Sequence, residues 1–598
     1  MTTHRNLLFT SAFALAFTAV LHAAPSSRIT GKDYAERTDA YIRYLAAAKP
    51  RNPNFPKEAM PYYAARVQLG IDPAGTRKAI DTMLDATVKA RPDPFNMHAI
   101  MHAYYLNRGV FTMEMREKIK KIVSTPNYAR PAGVSLNYEL MRGGAGYLAA
   151  QEWPDFKDSK GNDAKAIMKS CRAFLMKQYS GTCSRNASEY DAPVYYGTDF
   201  APARMVAEFA KDDELARAAR MTLDFMLIQT GCHWHHGYHI SSAGRGKYWG
   251  SLNLSPHSAS ATSGMAFLLY GSKQPFNISS APQAYWLAHP GKALDATFLS
   301  RWQATLPDER TVLANHIWPS HSQIVHKLAW FTEGYGLASQ REDGSPFSSF
   351  LFKECRRTML KWESPKHAST FTIIQENRRR PNEKRGNNFA YGENPYCQTF
   401  QYKGTLIGVH DVPQEYGFWK TRAPFTTLGS IVKRTEKDGW IFCHGGSMLF
   451  AFRFTAPARW DKPIPRESLE IYLCDSRRVG WILETSTLAP FAGGGPDAEL
   501  ARFTEAIITR TKIGGDTNQS PPRLVFKNLE GHTLDLTWKP LIDPMTDQCK
   551  LNGKPIDYAK FPQLSTPGVS QPTGGPLTIT VGSRSRTWDF KKWRISDK

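Results

Sequence analysis

The 598-residue sequence carries 76 Lys and Arg against 54 Asp and Glu, a formal excess of +22, with 41% hydrophobic and 12% aromatic residues. This composition excludes a disordered chain and a small disulfide-stapled module, and the length accommodates two or three domains. The positive balance points to an acidic partner: nucleic acid, an anionic membrane surface or an acidic polymer.

The first residues narrow that choice. Arg5 precedes an apolar, small-residue run from Leu7 to Leu21, and His22-Ala23-Ala24-Pro25 follows with small residues suited to cleavage. The pattern reads as a secretory signal over residues 1–24, so the mature chain is expected in the periplasm or outside the cell. The run is about 15 residues long, short of the roughly 20 a membrane-spanning helix needs, and no second long run follows. Export sets nucleic acid aside and favours an acidic polysaccharide, with a merely adhesive basic surface as the plainer reading. The eight cysteines (171, 183, 232, 355, 397, 443, 474 and 549) include no CxxC pair. In an oxidising compartment they are either bridged, Cys171 with Cys183 being nearest, or buried free thiols.

From residue 32 to about 305 the hydrophobic spacing is helical. It predicts helices over 33–48, 56–69, 75–90, 95–107, 112–122, 137–151, 164–178, 196–210, 213–229, 259–270 and 291–305, joined by short turns containing Pro, Gly or Asn. Consecutive helices on short connections run antiparallel, and without a fixed repeat length a closed ring of hairpins is favoured over an open solenoid. Beyond about residue 340 the pattern changes to short β-type runs at 371–375, 405–410, 429–434, 440–443, 448–454, 469–474, 478–485, 503–511, 523–527, 533–538 and 577–582. The expected architecture is an N-terminal α/α toroid (25–345) followed by a C-terminal antiparallel β-sandwich (346–598), the boundary falling between Gly334 and Ser364.

Two stretches of the helical half carry candidate chemistry. In Ser135-Leu136-Asn137-Tyr138-Glu139-Leu140, Asn137 sits at a helix start, where its ordinary role is an N-cap. In the second, Ser188 to Asp199, a polar turn ends at Pro193 and leads into a helix with Tyr195 and Tyr196 at its mouth. At these residues the chain resembles the heparinase II/III and oligoalginate-lyase group of polysaccharide lyases, in which a toroid asparagine precedes a Glu-x-Ser-Pro-x-Tyr-like segment. Glu189, Pro193 and Tyr195 are similar to that segment, with Ala192 at the usual serine, Tyr196 where a histidine commonly follows, and Tyr138 after the asparagine.

The resemblance implies β-elimination at a 4-linked uronic acid. The C5 proton lies beside a carboxylate, whose charge must be neutralised before a carbanion can form. A base at C5 and an acid at O4 are then required, and a tyrosine can serve as both where cations lower its pKa. On this resemblance Tyr195 is the base and acid, Asn137 grips the carboxylate, and Glu189, Tyr138 and Tyr196 line the substrate.

A third cluster, Gly231 to His239, supplies His233, Trp234, His235, His236 and His239, followed by Arg245, Tyr248, Trp249 and His257. Histidine can neutralise a carboxylate or relay a proton, Trp234 could stack on a sugar, and Arg245 could pair with a uronate. His235 and Tyr248 are taken as catalytic; Arg245, His239, Trp234 and His257 as substrate-binding. The rival readings are a metal site drawn from the four histidines, although no HExxH is present, and plain loop packing. No cofactor is expected, and a structural metal ion is compatible with the histidines.

Asn315, His316, His321 and His326 precede Tyr335, which either faces substrate or belongs to the core. The basic run 375–385 reads as a solvated loop or a steering patch for an acidic polymer. The glycines at 493–495 read as a loop with no phosphate-site setting. Three function classes follow: an exported lyase acting on an anionic polysaccharide, a glycoside hydrolase using carboxylates among Glu189, Asp191, Asp199 and Glu333, or a non-catalytic glycan-binding surface protein. The sequence leaves the oligomeric state open.

Overall fold

The computed structural model describes residues 26–598 apart from 91, 131–134, 187–189, 243–248, 318–323, 343–356, 377–393, 395 and 540–547. The signal segment, Glu189, Arg245, Tyr248, His321 and nearly all of the 375–385 run therefore lie outside the described residues.

Thirteen α-helices occupy the N-terminal half among the described residues. Their starts are written in the sequence. Asp33, Asp93, Asp163, Asp212 and Asp295 each accept a backbone N–H of the first turn, and Pro56, Pro73 and Pro94 stand at first helical positions. Pro56–Gln68, Pro94–Leu106, Leu136–Glu152, Tyr196–Phe209 and Ala261–Tyr270 pack in succession along one layer. Pro73–Lys89, Met113–Val123, Ala164–Arg185 and Asp213–His233 pair with them from the other layer. The first helix, Tyr34–Ala47, packs on Ala261–Tyr270, Tyr285–Ala288 and Ala296–Gln303, and a two-residue antiparallel ladder joins Arg28–Ile29 to Phe276–Asn277. The first and last hairpins thus meet, giving the expected α/α toroid.

The β half begins earlier than residue 346. The last toroid helix ends at Gln303, and Arg310–Ile317, Ile324–Phe331 and Tyr335–Glu342 are already strands. These three sit inside a ten-stranded antiparallel sheet completed by Thr358–Trp362 and Thr370–Phe371 on one side and five strands between Leu564 and Asp597 on the other. Alternation there is masked because one face packs on the toroid: Val312, Ala314, Ala329, Phe331, Leu564, Leu577 and Trp588 share a continuous apolar core with the helices. A six-stranded antiparallel sheet lies beyond it, with Met448–Phe454 and Arg478–Thr487 as central strands. Met448, Phe450 and Phe452 point into the core shared with Leu337, Leu360 and Trp362; Leu449 and Ala451 point into a second core with Phe503, Leu524 and Leu534. Burial on both faces explains why this strand reads as an unbroken apolar run.

Two local expectations fail. Residues 503–511 are not a strand but the second half of the helix Gly495–Arg510, whose Leu500, Phe503 and Ile507 recur at helical spacing and cover the six-stranded sheet. The glycine turn 493–495 accordingly opens a helix, although its N-terminal end is occupied by its own acid: Gly493 N–H donates to Glu499 Oε1 at 3.1 Å. All seven described cysteines are buried, and Cys171, Cys183, Cys232, Cys443 and Cys474 are free thiols. Cys171 and Cys183 lie on one helix, Ala164–Arg185, about 18 Å apart along its axis at 1.5 Å per residue, so they cannot bridge.

Burial also fixes the response to acid. Desolvation pushes the fully buried His98, His316 and His410 down to about 3 and His233 to about 4. Unfolded histidine titrates near 6.5, so between there and pH 4 the unfolded chain binds more protons and stability falls as pH falls. Lowering the pH from 7.5 to 5 should remove several kcal/mol, on the order of one proton taken up per buried histidine; urea midpoints that stay level across this range would contradict it.

Candidate active site

The segment before the helix Tyr196–Phe209 is fastened from both sides. The N-terminus of Ala261–Tyr270 grips it through Thr262, whose hydroxyl donates to Ala192 O at 3.1 Å, and through Ser260, which donates to Pro193 O. Gly197 N–H donates to Thr262 Oγ1 at 2.8 Å, and a Cβ at Gly197 would lie 2.5 Å from the Thr262 backbone nitrogen, so only glycine allows this approach.

From below, Asp191 anchors the segment. It is fully buried and holds a left-handed φ of 59°, a conformation open to Asp and Asn. Its Oδ2 accepts from Ser241 Oγ at 2.5 Å and lies 3.6 Å from both His233 Nε2 and Lys327 Nζ; its Oδ1 lies 3.5 Å from His239 Nε2. Burial alone would raise this carboxyl, but its neighbours His233, Lys327 and His239 outweigh burial and hold it well below the usual carboxylate range. Desolvation drives His233 itself down to about 4, so at neutral pH its ring is uncharged, whereas Lys327 faces Asp191 as an ammonium and also donates to Ser242 O at 2.9 Å. Lys327 comes from the ten-stranded sheet, so the pair joins the two halves of the molecule. It sums to zero charge and orders the loop; it is not a cationic lure.

At the mouth of the helix, Asn137, Tyr138 and Tyr195 come together. Asn137 Nδ2 donates to Thr198 Oγ1 at 3.3 Å, and Thr198 Oγ1 donates to Tyr195 O at 2.6 Å. The Asn137 carboxamide oxygen accepts from Tyr138 N–H at 2.6 Å and from Ser135 Oγ. The N-cap of Leu136–Glu152 is Ser135, so Asn137 is not the cap that its position suggested. Tyr138 packs edge-on against Phe95 at 5.3 Å, and burial, followed by Asp93 and Tyr195, raises its phenol pKa. Tyr195 is half-buried.

Other residues expected to touch substrate are placed elsewhere. Tyr196 is fully buried; its hydroxyl donates to Gln229 Oε1 at 2.5 Å, and Gln229 in turn donates to Asn186 Oδ1. Asn186 continues the chain to Asn315 O, carrying a buried amide relay from toroid to sheet. Burial raises the Tyr196 phenol far above its ordinary value. Trp234 is 1% exposed with its indole N–H on Gly271 O at 2.7 Å, so it has no face to offer a sugar. Tyr335 is core, its hydroxyl accepting from Thr485 Oγ1 at 3.0 Å. His235 is buried on the far side of its hairpin from Asp191's partners, beside Arg310 and Glu333 O. His257 is half-buried between Arg28 and Ser364 O, which hold its two ring nitrogens at 3.3 and 2.9 Å.

His239 lines a small cavity with Pro193, Ser241, Leu254, Met359 and Lys361. Lys361 donates to Leu254 O at 2.9 Å, and desolvation pushes it down to about 7. Lys327 and Lys361 escaped the sequence reading because each is one lysine in an ordinary strand; only the pairing of that strand beneath the toroid brings it to the loop.

Solved structures similar to the chain are polysaccharide lyases. The chondroitin AC lyase of Streptomyces coelicolor A3, in complex with chondroitin sulphate, aligns over 96% of this chain and 92% of its own at 11% identity, with a TM-score of 0.43. A Paenibacillus xanthan lyase aligns over 96% of this chain and 64% of its own at 9% identity and a TM-score of 0.44. The heparan sulfate lyase HepC of Pedobacter heparinus aligns over 85% and 82% at 9% identity and a TM-score of 0.34. No protein-family model and no curated protein matches the chain.

Proposed function

We propose that the protein is an exported polysaccharide lyase that cleaves a uronate-containing anionic polysaccharide by β-elimination. The observation that carries this reading is that the Asn137 carboxamide is tied, through the hydroxyl of Thr198, to the backbone carbonyl of Tyr195, whose half-buried phenol stands at the mouth of the same helix. In the proposed reaction Asn137 donates to the uronate carboxylate, exchanging its 3.3 Å bond with Thr198 for the substrate oxygen. Tyr195, as phenolate, takes the C5 proton; the electron pair forms the C4=C5 double bond and the C4–O4 bond breaks. The phenol so formed returns its proton to the departing O4. Asp191 and Lys327 hold the loop that presents the phenol. The excess of basic residues favours encounter with an acidic polymer, an effect that salt weakens.

Support for hydrolysis is thinner. Asp191 and Asp199 are both fully buried, which leaves no described carboxylate pair able to flank a glycosidic bond from this loop. No helix among the described residues is long and apolar enough to cross a membrane.

Incubation with glucuronan, alginate, ulvan and glycosaminoglycans should raise ultraviolet absorbance from the new double bond with at least one of them. New reducing ends without absorbance would mean hydrolysis; binding with neither product would mean a glycan-binding protein. Either result would end the lyase reading.

A further inference from the structure

The four histidines of the 233–239 segment divide. His233 and His239 turn to Asp191, whereas His235 and His236 turn the other way, toward Asp308 in the turn that leads into the ten-stranded sheet. Among the described residues, His235, His236 and Asp308 are the group whose ligand atoms all lie within 4.8 Å of one another. From this geometry we infer a binding site for one divalent transition-metal ion of the zinc class, held by His235, His236 and Asp308.

Each imidazole is already oriented as a metal ligand requires. Metal-bound histidines donate their outer N–H to a carbonyl or carboxylate, which leaves the inner nitrogen bare. His236 Nδ1 is held by the Glu363 carboxylate, so its Nε2 is the bare nitrogen, 3.0 Å from Asp308 Oδ1. His235 Nε2 is 3.3 Å from Glu333 O, which leaves Nδ1. Arg310 contacts that nitrogen at 3.4 Å, but the guanidinium also donates to Pro307 O, Cys232 O and Trp234 O at 3.0 to 3.3 Å and keeps those bonds if a metal takes its place.

The two rings lie 3.8 Å apart, and His236 adopts a left-handed φ of 52°, which turns its ring back over His235. Two nitrogens and one oxygen suit zinc better than calcium or magnesium, and the Asp308 side chain, 48% exposed, leaves a fourth position to water. Glu363 lies just past the strand Thr358–Trp362, so the ion would tie the hairpin to the β half.

The full-length protein, stripped with a chelator and dialysed, should bind one more equivalent of Zn2+ than the Asp308→Asn or His236→Gln variants do in calorimetric titration. Bound Co2+ should give visible ligand-field bands that each variant loses, and Zn2+ should raise the Tm of the parent but not of the variants. Both substitutions fall on side chains with solvent access, and circular dichroism checks that each variant folds. Equal Zn2+ stoichiometry in parent and variants would overturn the assignment. So would a parent that takes up no Zn2+ at micromolar free metal, which would leave His236 as a plain bridge between Asp308 and Glu363.

Discussion

Tyr195→Phe should lower the rate of double-bond formation by about 10²–10⁴-fold, the range associated with a general acid–base group, while the thermal unfolding midpoint stays within about 2 °C of the parent. The substitution removes one oxygen from a half-buried ring whose backbone stays fastened by Ser260, Thr262 and Thr198. A loss of turnover shared with a fall in stability would point to packing. Turnover at the parent rate would remove Tyr195 from the proposed chemistry. Tyr196→Phe provides the contrast. It breaks the bond to Gln229 within a buried relay, so it should cost about 1–3 kcal/mol of stability from the unsatisfied amide.

Lys327→Met is expected to destabilise the protein by about 3–5 kcal/mol, because it leaves the Asp191 carboxylate fully buried without its ammonium partner, beside a His233 ring that is neutral at pH 7. Asp191→Asn in the same chain should recover much of that loss, since asparagine tolerates the left-handed backbone and removes the stranded charge. Urea denaturation of the two single variants and the double variant gives the coupling directly. A cost below about 1 kcal/mol for Lys327→Met would show that the ammonium is not Asp191's essential partner. The pair also has a signed pH dependence. The Asp191 pKa is depressed in the folded state, so its contribution is complete above the unfolded value near 3.9 and is lost as pH falls below it.

Much of the fold was legible because its signals are local. Aspartate caps, prolines at first helical positions and 3.6-residue spacing placed most toroid helices within a few residues of their observed ends, although the helix expected over 164–178 runs on to Arg185 and the one expected from 291 starts at Ala296. The boundary was misplaced because the strand Ile324–Phe331 is buried on its toroid face and carries His326, Lys327 and Trp330 without alternation. The stretch 503–511, rich in Phe, Ile and Thr, has the composition of a strand, and only its register with Leu500 reveals a helix. For the candidate site, the resemblance to a lyase segment singled out Asn137 and Tyr195, but burial was invisible. Trp234, Tyr196 and Tyr335 are residue types suited to sugars, here used for packing. Asp191 was considered only as a hydrolytic carboxylate, since its lysine lies 136 positions further along the chain and the pairing needs the whole sheet.

The shared apolar core and the amide relay from Tyr196 to Asn315 have a consequence for how this molecule can be divided. A fragment ending at Gln303 would expose the surface now covered by Val312, Ala314, Leu564 and Leu577, and would strand Asn186 without its acceptor and Asp191 without its counter-charge. The toroid is therefore not an autonomous module to be grafted or expressed alone. Because strands from residues 310–342 and 564–597 complete its base, the helical half finishes packing only after both of those segments have been synthesised.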